Sequence, residues 1–164
     1  MVLPQLIEKL LKALLINYMN KTFSHLRVSS EYSITQGLLT INQLVECAKK
    51  HSVPSLALTD KSNMFAMVKF FSKCEAQGIK PISGSSLKVI FDEDDTSHEL
   101  LLLAKNNNGH KNLMKVISNA HNNFKYQNPI ISFKDLQEFK DDVIAISGGK
   151  DSHLFELIKR KKNN

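Results

Sequence analysis

The sequence predicts an α/β fold around a mainly parallel sheet, and three observations carry that reading. After Met19, short apolar runs of strand length alternate with longer stretches whose apolar residues recur at helical spacing, the order expected of βαβ units. Pro54, Gly78, Pro81 and Gly109 punctuate the alternation where one element should give way to the next. Finally, 164 residues of which 42% are hydrophobic and 23% charged suffice for one globular domain with a core, and exclude a multidomain enzyme.

Three regions follow from composition. Residues 1–20 form an N-terminal extension in which Leu3, Leu6, Ile7, Leu10, Leu11, Leu14 and Leu15 recur at helical spacing around Glu8, Lys9 and Lys12, the pattern of an amphipathic helix. Its uncharged stretch is far shorter than the ~20 residues a membrane span needs, and no small-residue cleavage site follows it. The composition break at Met19 leaves that residue as an alternative start, with a partner-binding or membrane-surface helix as the functional rival. Residues 21–158 make up the domain proper, and residues 159–164 a basic tail led by Lys159, Arg160, Lys161 and Lys162.

Within the domain, Phe23–Val28 reads as a strand. Thr40 and Gln43 form a capping box for a helix whose apolar face is Ile41, Leu44, Val45 and Ala48, ending near His51 ahead of Pro54. Ser55–Thr59 is a second strand, Met64–Ala76 a second helix closed by Gly78, and Lys80–Ser83 a short third strand. Leu87–Phe91 and Glu99–Ala104 flank the acidic turn Asp92–Ser97 as a β-hairpin insertion. A helix follows from about His110 with Leu113, Val116, Ile117 and Ala120 on its buried stripe, the asparagines at 106–108 supplying turn and cap. Ser132 and Asp135 open a short helix, Val143–Ile146 is a strand, and Asp151 opens the last helix.

The formal charge of +6 favours a polyanionic partner, although the basic tail accounts for much of it as a solvated run. Cys47 and Cys74 lie in helical segments without a CxxC spacing, which points to reduced core thiols in a cytoplasmic protein.

Four ordered segments carry a family resemblance. Phe23-Ser-His-Leu-Arg-Val-Ser-Ser-Glu-Tyr-Ser-Ile-Thr-Gln-Gly37 resembles the opening motif of the PHP domain of bacterial DNA polymerase III alpha subunits. Leu58-Thr-Asp-Lys-Ser-Asn-Met64 is similar to its second motif, Gly78-Ile-Lys-Pro-Ile-Ser-Gly84 to its third, and Leu101–Leu113 to the segment after it. The resemblance implies a distorted (β/α)7 barrel. Such barrels take ~200–250 residues, so an incomplete PHP-type barrel is expected here. The family's palm, thumb, fingers and DNA-binding modules have no counterpart in these residues. Phosphodiester synthesis needs paired carboxylates holding two metal ions ~4 Å apart, and no such pair stands outside the hairpin turn.

In metal-bearing relatives the first motif supplies two histidines two residues apart, the second an Asp-His pair and the third a Glu after its glycine. The matching residues are Arg27, Ser29, Asp60, Lys61 and Ser86, so of these positions only Asp60 keeps a ligand. His25 matches a position that is acidic in related hydrolases; with Asp60 it falls short of the three protein ligands a hydrolytic centre needs. No metal and no cofactor are therefore expected. Arg27 is expected to fill the vacated space and pair with Asp60. His51, His98, His110, His121 and His153 read as surface or cap residues, and Asp92–Asp95 as a solvated acidic turn.

Ser-Gly-Gly-Lys-Asp-Ser at 147–152 also resembles the pyrophosphate loop of ATP-pyrophosphatase-type ligases. Gly148 and Gly149 would let backbone amides approach a phosphate, with Lys150 adding charge. In those ligases the loop opens the domain, whereas here only a short stretch follows it, which favours a plain strand-end turn with an Asp cap.

The expected function is thus that of a catalytically silent PHP module in replication. Its expected partners are the rest of a polymerase alpha subunit or the proofreading exonuclease, with DNA engaged only indirectly and no membrane. An ATP-binding protein and a residual metal-dependent phosphoesterase stand as alternatives.

Overall fold

The computed structural model describes residues 23–34, 36–91, 96–122 and 128–162. The expected helix within residues 1–20 and most of the acidic turn, residues 92–95, lie outside these.

A capping box starts the first helix, α1 (Ile41–Lys50): Thr40 N donates to Gln43 Oε1 at 2.9 Å, and Gln43 N returns to Thr40 Oγ1 at 3.3 Å. Strand β1 (Ser55–Leu58) follows, then α2 (Met67–Ala76). The helix starts later than the apolar pattern suggests because Asn63 Oδ1 accepts from Phe65 N at 3.2 Å, holding residues 63–65 in a turn. Gly78, at φ +69°, closes it as expected.

Strand β2 (Lys80–Ile90) is one continuous strand where the sequence suggested two. The serine- and glycine-rich middle resembles a break, yet its buried hydroxyls are satisfied: Ser83 Oγ pairs with His110 Nδ1 at 2.8 Å and Ser85 Oγ donates to the Asp60 carbonyl at 2.8 Å. Strand β3 (Ser97–Ala104) returns antiparallel in the expected hairpin, paired from Gly84↔Leu103 to Ile90↔Ser97. Helix α3 (Asn107–Asn122) begins three residues before the expected position, because Asn106 Oδ1 caps the amides of Asn108 and Gly109 at 2.9 and 3.1 Å.

Ile130–Ser132 forms a strand, β4, that periodicity did not single out; at three residues it is too short to show an alternation. It leads into α4 (Phe133–Gln137), capped by Ser132. Strand β5 (Val143–Ser147), a 3₁₀ turn at Gly149–Asp151 and α5 (His153–Lys162) complete the order. Residues 159–162 therefore continue a helix rather than a loose tail.

The sheet runs β1-β2-β3-β5, with β4 also on β2. β1 and β4 are parallel to β2, and β5 is antiparallel to β3, so only β3 runs against the rest. Among the described residues nothing pairs with the outer edge of β5, and the sheet stays open. Ahead of β1, the expected first strand is only an extended segment. Ala57 N and Thr59 N donate to the carbonyls of His25 and Val28 at 3.1 and 2.8 Å, but Val28 N turns to Thr59 Oγ1 at 2.9 Å and interrupts the ladder.

Two apolar clusters hold the layers. One packs Ile41, Leu44 and Val45 of α1 and Phe70 and Cys74 of α2 onto Leu56 and Leu58 of β1. The other packs Leu113, Val116 and Ile117 of α3 onto Leu87, Val89 and Leu102 of the hairpin. Each fully buried aliphatic contributes about 1.5–3 kcal/mol. Leu102→Ala should accordingly lower unfolding free energy by about 2–5 kcal/mol in urea denaturation, whereas Met114→Ala, on the exposed side of α3, should stay within about 0.5 kcal/mol.

The two cysteines differ, contrary to the expectation that both are core. Cys74 is buried, while Cys47 lies on the exposed side of α1. Burial pushes the Cys74 thiol up to about 11, with the Glu75 carboxylate adding to the shift. At pH 8 a maleimide should label Cys47 readily and leave Cys74 unmodified until denaturant is added, as peptide mass spectrometry would show.

Candidate functional site

The strand-end positions picked out from sequence come together at the C-terminal end of β1 and the middle of β2, and they do so as two separate polar clusters. The first surrounds Asp60, which is fully buried just beyond β1. Its carboxyl oxygens accept from Ser30 N at 2.7 Å, Ser30 Oγ at 2.7 Å and Ser33 Oγ at 2.6 Å. Ser33 Oγ in turn accepts from Lys61 N at 3.0 Å, and Ser30 Oγ from Tyr32 N at 3.2 Å. The loop after the extended segment thus wraps its own donors around the acid. Gly37 makes the wrap possible, because a Cβ there would lie 1.7 Å from the Ser30 carbonyl oxygen.

The second cluster is built on the hairpin. Glu99 of β3 stands across from Lys88 of β2, which puts it diagonal to Ser86 on the same face. Glu99 Oε1 accepts from Arg27 Nη2 at 2.6 Å and from the Ser86 hydroxyl. The expected pairing of Arg27 with Asp60 does not form. Asp60 already accepts from three hydroxyl and amide donors inside the protein, whereas the Arg27 side chain is 55% exposed and reaches the half-buried Glu99 without entering the interior. A buried ion pair would have cost the desolvation of the guanidinium; the partly exposed pair avoids it.

Lys61 joins β1 to this cluster through its backbone, in a parallel bridge to Ser86. Ser86 N donates to the Asp60 carbonyl at 3.1 Å and Ser62 N to the Ser86 carbonyl at 2.8 Å. A cleft of about 240 Å³ opens here, lined by Gln36, Lys61, Ser86, Lys88, Ser97 and Glu99. Arg27, Lys61 and Lys88 set three positive charges against the one carboxylate of Glu99. Ser29 is half-buried on the loop between Arg27 and Ser30.

A divalent ion, the group this fold implies, does not suit this donor set. The oxygens of Asp60 face serine donors, Glu99 is held by Arg27 and Ser86, and the flanking lysines repel cations. Among the described residues no three of His, Cys, Asp and Glu converge. His110 is bound to Ser83, and His121 Nε2 donates to the Ser62 carbonyl at 2.7 Å. His98, expected at the surface, is buried beside Phe91 and His153, the latter stacked on Phe91 at 4.6 Å. Glu99, Ser30 and Ser33 were not legible as site residues in the sequence. The hairpin register is the signal that could have placed Glu99 beside Ser86.

At the end of β5, Gly148 presses against β3, where a Cβ would meet the Glu99 carbonyl oxygen at 2.4 Å, and Gly149 adopts φ +73°. Ser152, in place of the expected Asp151, caps α5: its Oγ accepts from Phe155 N at 3.3 Å and donates to the Gly149 carbonyl at 2.6 Å. The two glycines and Ser152 have structural duties in this turn; Lys150 is exposed.

The sheet is open, with its polar residues gathered at the end of β1 and the middle of β2, as expected of an incomplete barrel. A model of the PHP domain matches residues 25–164, and the chain belongs to that family. The DNA polymerase III subunit alpha of Borreliella burgdorferi is 37% identical over 134 residues, covering 76% of this chain and 12% of that protein. The protein of the same name from Escherichia coli K12 is 40% identical over 131 residues, covering 78% and 11%. The chain therefore spans about an eighth of the length of these relatives. Among solved structures, an amidohydrolase from Chromobacterium violaceum superimposes with a TM-score of 0.48 at 18% identity, over 59% of this chain and 32% of that one.

The two clusters should differ sharply in their contribution to stability. Asp60→Ala strands three buried donors at about 1–3 kcal/mol each and should lower the urea midpoint severely, with Asp60→Asn intermediate. Arg27→Ala, which removes a partly exposed pair, should change unfolding free energy by no more than about 1 kcal/mol.

Proposed function

We propose that this chain serves as the N-terminal PHP module of a bacterial replicative polymerase alpha subunit, a non-catalytic scaffold that supports the polymerase body and docks the proofreading exonuclease. The observation that carries this reading is that both acids of the site already have partners within the chain: Asp60 accepts from Ser30 and Ser33, and Glu99 from Arg27 and Ser86. Asp60 so enclosed is out of reach of a substrate, and the Arg27 charge on Glu99 disfavours a cation there. The identity to polymerase III alpha subunits over most of the chain supports the replicative context. The cytoplasmic setting and indirect contact with DNA follow from the same context; among the described residues no helix is long and apolar enough to cross a membrane.

In this role Arg27, Ser29, Lys61 and Ser86 are substituted ligand positions, and Asp60 is a structural acid. The purified chain should release no phosphate from nucleotides or p-nitrophenyl phosphate when Mn²⁺ or Zn²⁺ is added, and should retain the exonuclease subunit of the same organism in a pull-down. Metal-dependent turnover that disappears in Asp60→Asn would overturn the scaffold reading in favour of a phosphoesterase.

A further inference from the structure

The side chains around the polar cleft of about 240 Å³ offer more donors than acceptors. Glu99 is the one acid lining it, and Arg27 and Ser86 both donate to its Oε1. Lys88 stands directly across from Glu99 in the β2–β3 register, yet Glu99 is paired with Arg27 instead. Among the described residues the ammonium groups of Lys61 and Lys88 have no hydrogen-bond or ion-pair partner, and neither do the side chains of Gln36 and Ser97.

Strand alternation puts Ser86, Lys88, Ser97 and Glu99 on one face of the hairpin, with Leu87, Val89 and Leu102 under α3 on the other. The two lysines reach the cleft from different elements: Lys88 from β2, and Lys61 from the segment after β1 whose backbone bridges to Ser86. The volume is below the ~300 Å³ at which pockets for organic ligands usually begin, so an ion or a small headgroup fits. Two ammoniums carry only donors, and an amide and a hydroxyl beside them add more. Such a set matches a ligand with several acceptor oxygens and two negative charges, one for each lysine.

We propose that this cleft binds a phosphate dianion, as the free ion or as the end group of a small phosphomonoester. Lys61 and Lys88 hold its charge, and Gln36 and Ser97 complete the donor set. Arg27 acts indirectly, by keeping Glu99 from pairing with the lysines. No metal takes part, and nothing in the proposal depends on the replicative role.

The test is a titration of the full chain with inorganic phosphate and, separately, with adenosine 5′-monophosphate, in EDTA at constant ionic strength, followed by backbone amide resonances. Saturable shifts should centre on residues 61, 86–88 and 97–99. Lys61→Gln and Lys88→Gln should each weaken binding about tenfold. Lys115→Gln, on the exposed side of α3, removes the same charge and should leave binding unchanged. Arg27→Gln should weaken it by releasing Glu99 to the lysines. Lys61 and Lys88 are both exposed, so loss of binding in their variants reports the site and not the fold. Tighter binding of the nucleotide assigns the site to a phosphomonoester, and equal binding assigns it to the ion. Because four acids, Asp92, Glu93, Asp94 and Asp95, stand between β2 and β3 in the sequence, the titration is repeated in Asp92→Asn/Glu93→Gln/Asp94→Asn/Asp95→Asn. No saturable shift in either background, an equal loss in the Lys115 variant, or acetate binding as tightly as phosphate would each overturn the proposal.

Discussion

The structure depends on the buried carboxyl group of Asp60. An acid with no exposed surface is costly unless each lone pair finds a donor, and here the donors come from a loop that has little regular structure of its own. Ser30 and Ser33 are held in place by the acid, and through them the segment from Phe23 to Gly37 is fastened to the end of β1. The Asp60 carbonyl receives Ser85 Oγ and Ser86 N, so the same residue fastens the middle of β2. One side chain and its own backbone thereby join three parts of the chain that are distant in sequence.

This arrangement fastens the ends of separate segments without any group beyond the chain's own side chains and backbone. In a metal centre the ion gathers strand-end side chains and neutralises their charge. Here serine hydroxyls and a backbone amide gather around Asp60, and an arginine neutralises Glu99 from the solvent side. The cross-links here are hydrogen bonds between the chain's own groups. Lys61 and Lys88 line the cleft, with Arg27 paired to Glu99 beside them, and this excess of positive charge disfavours a cation there.

Helices were the most legible elements because their apolar residues repeat over ten or more positions and their caps are explicit, as in Thr40 with Gln43 and Gly78 after α2. Strands were less so. The serine-rich centre of β2 looked like a break because its burial rests on side-chain hydrogen bonds to residues far away, and Phe23–Val28 looked like a strand although Thr59 interrupts its ladder. In the site, residue type and order alone picked out Arg27, Ser29, Asp60, Lys61 and Ser86 as the positions to examine. It was not enough to tell which acid Arg27 would meet.

By itself the sequence determined the family and the alternation of strands and helices, since each of these is a property of residue types in order along the chain. The partners of each polar group were decided only by the tertiary structure. Asp60 could have taken an arginine or a pair of hydroxyls, and the choice turned on depth: the guanidinium remains near solvent on Glu99, while small serine hydroxyls can follow the acid into the interior without carrying a charge out of water.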